Sequence, residues 1–211
     1  MTAPQPAPGP ISTVLFDWAG VMTSSPWATI AAAGGGSLEL LIGDYAEDTD
    51  HPWHQVERGE MPVTDWVAAV SRMGEEQGIT VDFSLLQGII SDSTVREPFV
   101  AKVRSLRAEG YKLGLVTNNV REGSAAWRAM LPVDDLFDVV IDSSEVGMRK
   151  PNPAIYLHAL ELLGVHDPAS AVFLDDAAGN VEGARRAGLW AILVDDTDDA
   201  LTELDQLLAA G

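Results

Sequence analysis

The sequence predicts an α/β fold, in which a doubly wound parallel sheet carries a small helical cap inserted after the first strand. Short apolar runs rich in β-branched residues recur along the chain, and helical patterns separate most of them. This alternation is typical of a parallel sheet with helices on both faces. Residues 24–95 are the exception, because they show several helical patterns and no convincing strand.

The predicted strands are short apolar runs that end at polar or turn residues. The first covers residues 12–17 and is followed by a turn that contains Gly20. A strand inside a parallel sheet is expected to be apolar throughout, because helices cover both of its faces. The other predicted strands are residues 112–117, 138–141, 171–175 and 190–194, and 138–141 is the weakest of them.

The predicted helices divide the chain into a core and a cap. Core helices are expected at residues 97–109, 123–130, 152–163, 180–187 and 200–209, and cap helices at 64–73 and 83–90. The Gly34-Gly35-Gly36 run lacks the strand and the Lys-Ser pair of a phosphate-binding loop, so it indicates a hinge. We predict a Pro-rich disordered lead-in at 1–10, a core at 11–23 and 96–211, and a helical cap at 24–95.

The composition excludes several classes of function. The 211 residues include 13 Lys and Arg against 32 Asp and Glu, a net charge of −19, whereas nucleic acids and anionic membranes attract basic surfaces. With 0 cysteines the chain can form no disulfide or thiolate metal site. Residues 1–10 show no secretory signal, and no apolar run is long enough to span a membrane. We expect a cytoplasmic monomer or homodimer without nucleic-acid or membrane partners.

Polar side chains mark the carboxyl ends of three predicted strands: Asp17, Thr117 and the pair Asp175-Asp176. These ends meet at one edge of a parallel sheet, where open α/β sheets bind ligands. Lys150, in a turn-rich segment before a helix, is expected to join them. Clustered carboxylates suit Mg²⁺, and a lysine suits an anion. Since a carboxylate can also act as a nucleophile, this set of residues indicates phosphoryl transfer on a small anionic substrate.

Four motifs in this order resemble those of the haloacid dehalogenase superfamily. They are Phe16-Asp17-Trp18-Ala19-Gly20-Val21, Val116-Thr117-Asn118-Asn119, Arg149-Lys150-Pro151-Asn152-Pro153 and Phe173-Leu174-Asp175-Asp176. The third and fourth motifs are most similar to the phosphatase domain of soluble epoxide hydrolases. The resemblance covers roughly residues 11–200 and implies a Rossmann-like core, a hydrolase activity and a requirement for Mg²⁺.

The resemblance also implies roles for individual residues. Asp17 is expected to be the nucleophile and a metal ligand. Thr117 and Asn118 are expected to bind the transferring phosphoryl group, and Lys150 to neutralise its charge. Asp176 is expected to hold Mg²⁺ directly, Asp175 directly or through a water molecule, and Ala19 through its backbone carbonyl.

The chain departs from the phosphatase pattern at Ala19, where phosphatases of this superfamily carry an Asp that serves as general acid and base. A methyl group cannot transfer a proton, and such a group contributes roughly two to four powers of ten in rate. We therefore expect weak activity on ordinary phosphomonoesters, unless the substrate has a good leaving group or the cap supplies the acid. His51, His54 and Glu57 are the candidates in the cap.

Three alternatives to a phosphatase stay open at this point. Phosphonoacetaldehyde hydrolases share the Asp-x-Ala pattern but need a lysine from the cap, and residues 24–95 contain none. Haloacid dehalogenases carry Asp-x-Tyr and need no Mg²⁺, which the Asp175-Asp176 pair disfavours. The third alternative is a binding or regulatory protein that has kept the fold and the metal site but lost catalysis.

Overall fold

The computed structural model describes residues 9–25, 37–81, 83 and 93–210. The predicted glycine hinge at 34–36, most of the predicted helix at 83–90 and most of the lead-in at 1–10 lie outside these residues. Within them, five parallel strands form one sheet with the order β3-β2-β1-β4-β5. The strands are β1 (Thr13–Phe16), β2 (Lys112–Thr117), β3 (Val139–Asp142), β4 (Ala171–Asp175) and β5 (Trp190–Leu193).

The central strand β1 pairs with both β2 and β4, and Leu15 lies opposite Gly114 on one side and Phe173 on the other. A Cβ atom on Gly114 would lie 2.6 Å from Cδ2 of Leu15, so the glycine leaves room for the larger side chain. All five predicted strands are present, each within one residue of its expected ends. The predicted fold class is confirmed.

Helices cover both faces of the sheet. Successive residues of a strand point to opposite faces, so neighbouring residues of β1 pack against different helices. Val14 and Phe16 pack with one group of helices, whereas Leu15 packs with the other. The helices on the first face are α4 (Glu97–Ala108), α5 (Ser124–Arg128), α6 (Val133–Leu136) and α10 (Thr197–Ala209). Those on the second are α8 (Pro153–Leu162) and α9 (Ala178–Arg186), while the short α7 (Ser143–Val146) follows β3.

The cap residues that the structure describes form a separate small core. Their helices are α1 (Ser37–Ile42), α2 (Pro52–Glu57) and α3 (Val63–Gln77). Trp66 is buried at the centre, and its indole nitrogen donates to the carbonyl of Leu41 at 3.0 Å. Its ring centroid lies 5.2 Å from that of Trp53. This packing supports the proposed division between core and cap, whose boundaries stay a prediction.

Some helices begin or end away from the predicted positions, for local reasons. The helix predicted at 64–73 continues to Gln77 and ends where Gly78 adopts a positive φ of 70°. Residues 74–77 are Gly-Glu-Glu-Gln, so the apolar periodicity stops before the helix does. The last helix begins at Thr197, because the Asp196 carboxylate accepts from the backbone N–H groups of Asp198 and Asp199. Among the described residues, no helix is long and apolar enough to cross a membrane.

Candidate active site

Asp17, Thr117 and the Asp175-Asp176 pair all lie at the carboxyl edge of the sheet, where β1, β2 and β4 end side by side. The backbone N–H of Asp17 still donates to the carbonyl of Leu174 at 2.9 Å, so the end of β1 is fixed against β4. Asp17, Thr117 and Asp175 are buried. The structure therefore brings together residues that are up to about 160 positions apart in the sequence.

Lys150 reaches this edge from the loop before α8 and bridges two of the carboxylates. Its Nζ lies 2.5 Å from Oδ1 of Asp17 and 2.7 Å from Oδ2 of Asp175, and its side chain is 1% exposed. Burial lowers the pKa of Lys150, but the charges of Asp17 and Asp175 outweigh this effect and raise it above its ordinary value. The lysine is therefore a permanent positive charge beside Asp17.

Three carboxylates converge next to this lysine. One oxygen atom each from Asp17, Asp175 and Asp176 can be chosen so that all lie within 4.8 Å of one another. Burial and then the charge of Asp175 raise the pKa of Asp17 well above its usual range, although Lys150 opposes the shift. The same two causes raise the pKa of Asp176 to about 6. Two buried acids and the half-buried Asp176, with one lysine, favour a divalent cation that would neutralise their negative charge.

Asp175 is held in place by several donors besides Lys150. The backbone N–H of Ala177 donates to its Oδ1 at 2.8 Å. The Asn180 amide lies 3.1 Å from Oδ1 and 3.0 Å from Oδ2. Asn180 lies inside α9, which begins after Ala177, so it orients the carboxylate and does not cap the helix.

The Asn118 side chain holds the loop that carries Lys150. Its Oδ1 accepts from the backbone N–H of Lys150 at 2.8 Å, and its amide nitrogen donates to the carbonyl of the same residue at 2.9 Å. Both ends of the Asn118 amide are therefore used within the protein. No local sequence pattern indicates this pairing, because the two residues are 32 positions apart. Thr117, directly before it, is 1% exposed at the end of β2.

The turn after β1 fits closely against the carboxylates. The backbone N–H of Trp18 donates to Oδ1 of Asp17 at 2.7 Å. Gly20 has a φ of 85°, and a Cβ atom there would lie 1.9 Å from Oδ2 of Asp176, so both conformation and space require glycine. Arg96 donates to the carbonyl of Gly20, which fixes the turn from α4. Ala19 packs against the apolar core and presents no group that could carry a proton.

The cap contacts the core through a buried ion pair. Nε of Arg149, the residue before Lys150, lies 2.7 Å from Oε2 of Glu57 in α2, and these side chains are 0% and 3% exposed. Arg149 also donates to the carbonyl of Glu47. The sequence analysis includes Arg149 in the third motif but predicts no role for it. The only feature of the sequence that could have indicated such a role is the position of this charged residue next to Lys150.

The three cap residues considered as substitutes for the missing acid already form hydrogen bonds or an ion pair within the protein. Nδ1 of His54 accepts from the backbone N–H of Thr49 at 3.0 Å, and burial lowers its pKa to about 4, so it is neutral near pH 7. Nδ1 of His51 accepts from the backbone N–H of Trp53 at 3.1 Å at the start of α2. Glu57 is paired with Arg149.

Comparison with known proteins agrees with this geometry. Residues 11–188 match a family model described as haloacid dehalogenase-like hydrolase. The chain belongs to this family. The resemblance inferred from the four motifs is confirmed, and with it the expectation of a hydrolase family.

Two relatives illustrate the range of this hydrolase family. The chain is 32% identical over 216 residues to bifunctional epoxide hydrolase 2 of Sus scrofa, a match that covers 93% of this chain and 39% of that protein. It therefore spans about two fifths of the length of this relative. It is 31% identical over 207 residues to phosphatase MT3486 of Mycobacterium tuberculosis, with 88% of each chain covered.

A solved structure shows the same fold. It is a haloacid dehalogenase family enzyme from Bacteroides thetaiotaomicron in complex with magnesium and inorganic phosphate. The two share 21% identity with a TM-score of 0.61, over 90% of this chain and 98% of that one. At this identity the likeness confirms the fold alone.

Proposed function

We propose that this protein is a Mg²⁺-dependent phosphatase-type hydrolase that acts on a small phosphorylated or otherwise anionic metabolite through Asp17. The observation that carries the proposal is the position of Lys150, whose Nζ lies within 2.7 Å of carboxylate oxygens of both Asp17 and Asp175. A carboxylate nucleophile next to a fixed positive charge suits attack on a phosphoryl group, because the lysine offsets repulsion between the two anions.

The acidic cluster fits Mg²⁺. The cation prefers oxygen ligands and usually combines one or two carboxylates with water and a substrate phosphate. Asp17, Asp176 and the backbone carbonyl of Ala19 would hold it. Asp175 accepts hydrogen bonds on both oxygens, which favours a role in orienting the site or coordination through water. Bound Mg²⁺ would supply charge neutralisation between the carboxylates and the phosphoryl oxygens.

The reaction then follows from the protein side chains. The Asp17 carboxylate attacks phosphorus and forms an aspartyl-phosphate, and water later cleaves it. Thr117 and Asn118 bind the transferring group, and Asn118 does so through its backbone because its side chain is held by Lys150. Lys150 offsets the charge that develops on the phosphoryl oxygens.

Ala19 limits the substrates on which the enzyme acts well. A phosphate ester with a basic alkoxide leaving group needs a proton donor, whereas acyl, enol and anomeric phosphates have better leaving groups. We therefore propose substrates of the second kind. The fold, the site and the named phosphatase relative support a phosphatase-type activity, whereas the choice of substrate class rests on Ala19 alone.

The test is a screen of acyl phosphates, sugar phosphates, phosphonates and haloacids in the presence of Mg²⁺. We expect phosphate release, loss of at least a hundredfold in turnover with Asp17→Asn, and little change with Asp195→Asn, an exposed control. Turnover that survives Asp17→Asn would overturn the nucleophile assignment. Ala19→Asp should raise activity on ordinary phosphate monoesters at least tenfold.

Ala19 also motivates a second candidate, a binding or regulatory protein without catalysis. Complete inactivity across the screen, together with measurable binding of a phosphorylated ligand by calorimetry, would favour it. Halide release from haloacids without Mg²⁺ would instead indicate a dehalogenase, and cleavage of a phosphonate carbon–phosphorus bond a phosphonatase.

A further inference from the structure

The chain passes between the core and the predicted cap through two segments that pair with each other, residues 22–25 and 94–96. The backbone N–H of Ser24 donates to the carbonyl of Thr94 at 2.8 Å. In the other direction, the backbone N–H of Thr94 donates to Oγ of Ser24 at 3.0 Å. These paired connections are therefore fixed to each other where the chain enters and leaves the predicted cap.

The first of the paired connections is also anchored to the turn after β1. The backbone N–H of Thr23 donates to the carbonyl of Trp18 at 3.0 Å, and its Oγ1 donates to the same carbonyl at 3.3 Å. Thr23 is fully buried. The segment that carries Ser25 is thus held by the turn on one side and by the second connection on the other.

Ser25 contacts the acidic cluster from this held segment. Its Oγ donates to Oδ2 of Asp176 at 2.6 Å, although the two residues are 151 positions apart in the sequence. The same Oδ2 atom lies 1.9 Å from the place that a Cβ atom on Gly20 would take. This carboxylate oxygen is therefore packed against the glycine turn and bonded to the serine hydroxyl.

The carboxylate of Asp176 is less enclosed than that of Asp175. Asp175 is fully buried and accepts hydrogen bonds from Lys150 and from residues that begin α9. Asp176 is half-buried and lines a cavity of about 240 Å³ together with Tyr45 and Ala46 of the cap. The Ser25 hydroxyl restrains Asp176 as the several donors restrain its neighbour.

We infer that Ser25 is a positioning residue for the metal ligand Asp176, an inference that rests on the proposed Mg²⁺-dependent function. A ligand carboxylate that accepts a hydrogen bond from the protein is held in one orientation, so less freedom is lost when the cation binds. Because Ser25 lies on the paired connections, the entry to the predicted cap is tied directly to the metal site.

The test measures Mg²⁺ binding by calorimetry for the wild type, Ser25→Ala and Ser25→Thr. Loss of a hydrogen-bonding partner of a metal ligand typically weakens binding about 10–100-fold, so the dissociation constant of Ser25→Ala should rise at least about tenfold. Ser25→Thr keeps the hydroxyl and should bind Mg²⁺ within about threefold of the wild type.

Ser24→Ala is the matched control. It removes the same hydroxyl one residue earlier, where the group bonds to the Thr94 backbone and not to Asp176. It should change the dissociation constant for Mg²⁺ by less than about twofold.

Phosphate release at increasing Mg²⁺ concentration gives a second readout. For Ser25→Ala, the Mg²⁺ concentration at half-maximal turnover should rise about tenfold, whereas turnover at saturating Mg²⁺ should stay within about threefold of the wild type. A merely structural role would lower turnover at every Mg²⁺ concentration.

The outcomes separate this inference from the proposed function. The inference is wrong if Ser25→Ala binds Mg²⁺ as tightly as the wild type, if Ser24→Ala weakens binding equally, or if Ser25→Thr binds as weakly as Ser25→Ala. If the wild type binds Mg²⁺ but releases no phosphate, the proposed hydrolase activity fails, while calorimetry still decides the role of Ser25. If the wild type binds no Mg²⁺, both fail.

Discussion

Loss of one partner of the buried ion pair between Arg149 and Glu57 should cost more stability than loss of one partner of an exposed pair, and Glu57→Gln tests this. Removing one partner of a buried pair typically costs about 3–5 kcal/mol, because the remaining charge stays buried without compensation. Here Asp48 lies 3.9 Å from Arg149 and offsets part of that charge. We therefore expect the lower end of the range, about 3 kcal/mol.

The control for this prediction is Glu145→Gln. Glu145 pairs with Arg128 at 3.2 Å, but the two side chains are 50% and 27% exposed, so the change should cost less than about 1 kcal/mol. Urea unfolding followed by tryptophan fluorescence measures both variants. With a slope of about 2–3 kcal/mol per molar, a loss of about 3 kcal/mol lowers the midpoint by about 1–1.5 M.

Two results would refute this reasoning. The first is a midpoint for Glu57→Gln that shifts no further than that of Glu145→Gln. The second concerns the double variant Glu57→Gln with Arg149→Met, which removes both charges. It should recover part of the lost stability, because the cost arises from the unpaired guanidinium; a further loss would mean that Arg149 acts through other contacts.

Three further predictions concern the site and the cap. Gly20→Ala should weaken Mg²⁺ binding at least tenfold in calorimetry, because its Cβ would displace the Asp176 carboxylate; unchanged affinity would exclude Asp176 as a ligand. Asn118→Ala removes two hydrogen bonds to Lys150, worth about 2 kcal/mol, and should lower kcat/KM about thirtyfold in phosphate-release assays; an unchanged rate would contradict this positioning role. Burial lowers the pKa of His54 from its ordinary value of 6.5 to about 4 in the folded protein. As the pH falls from 6.5 toward 4, His54 is therefore protonated in the unfolded chain before it is protonated in the folded protein, and stability should fall. His54→Asn should lessen that fall in urea midpoints measured at pH 7, 6 and 5, and an identical fall would assign it to other groups.

The sequence was most informative about the core and the acidic site. Each strand is a short apolar run, because a strand covered on both faces has no polar side to interrupt the pattern. The polar residues at the ends of β1, β2 and β4 could be grouped from the sequence alone, since the carboxyl ends of parallel strands meet at one edge. Asp17, Asp175 and Asp176 lie together for this reason.

The contacts between core and cap could not be predicted in this way. Arg149 and Glu57 are 92 positions apart, and no periodicity or spacing relates them. The same holds for Tyr45 and Asp176, which line one cavity although they belong to the cap and the core. Asn118 is a similar case, because its side chain binds the backbone of Lys150.

The sequence by itself determined the parallel sheet, the order of its motifs and the absence of an acid at Ala19, because these follow from local pattern and residue type. The tertiary structure decided which cap residues reach the site. It placed His54 in the packing of the cap, Glu57 in the ion pair with Arg149 of the core, and Tyr45 at the cavity beside Asp176. Such placements depend on how two packed units fit against each other, and local sequence carries little information about that fit.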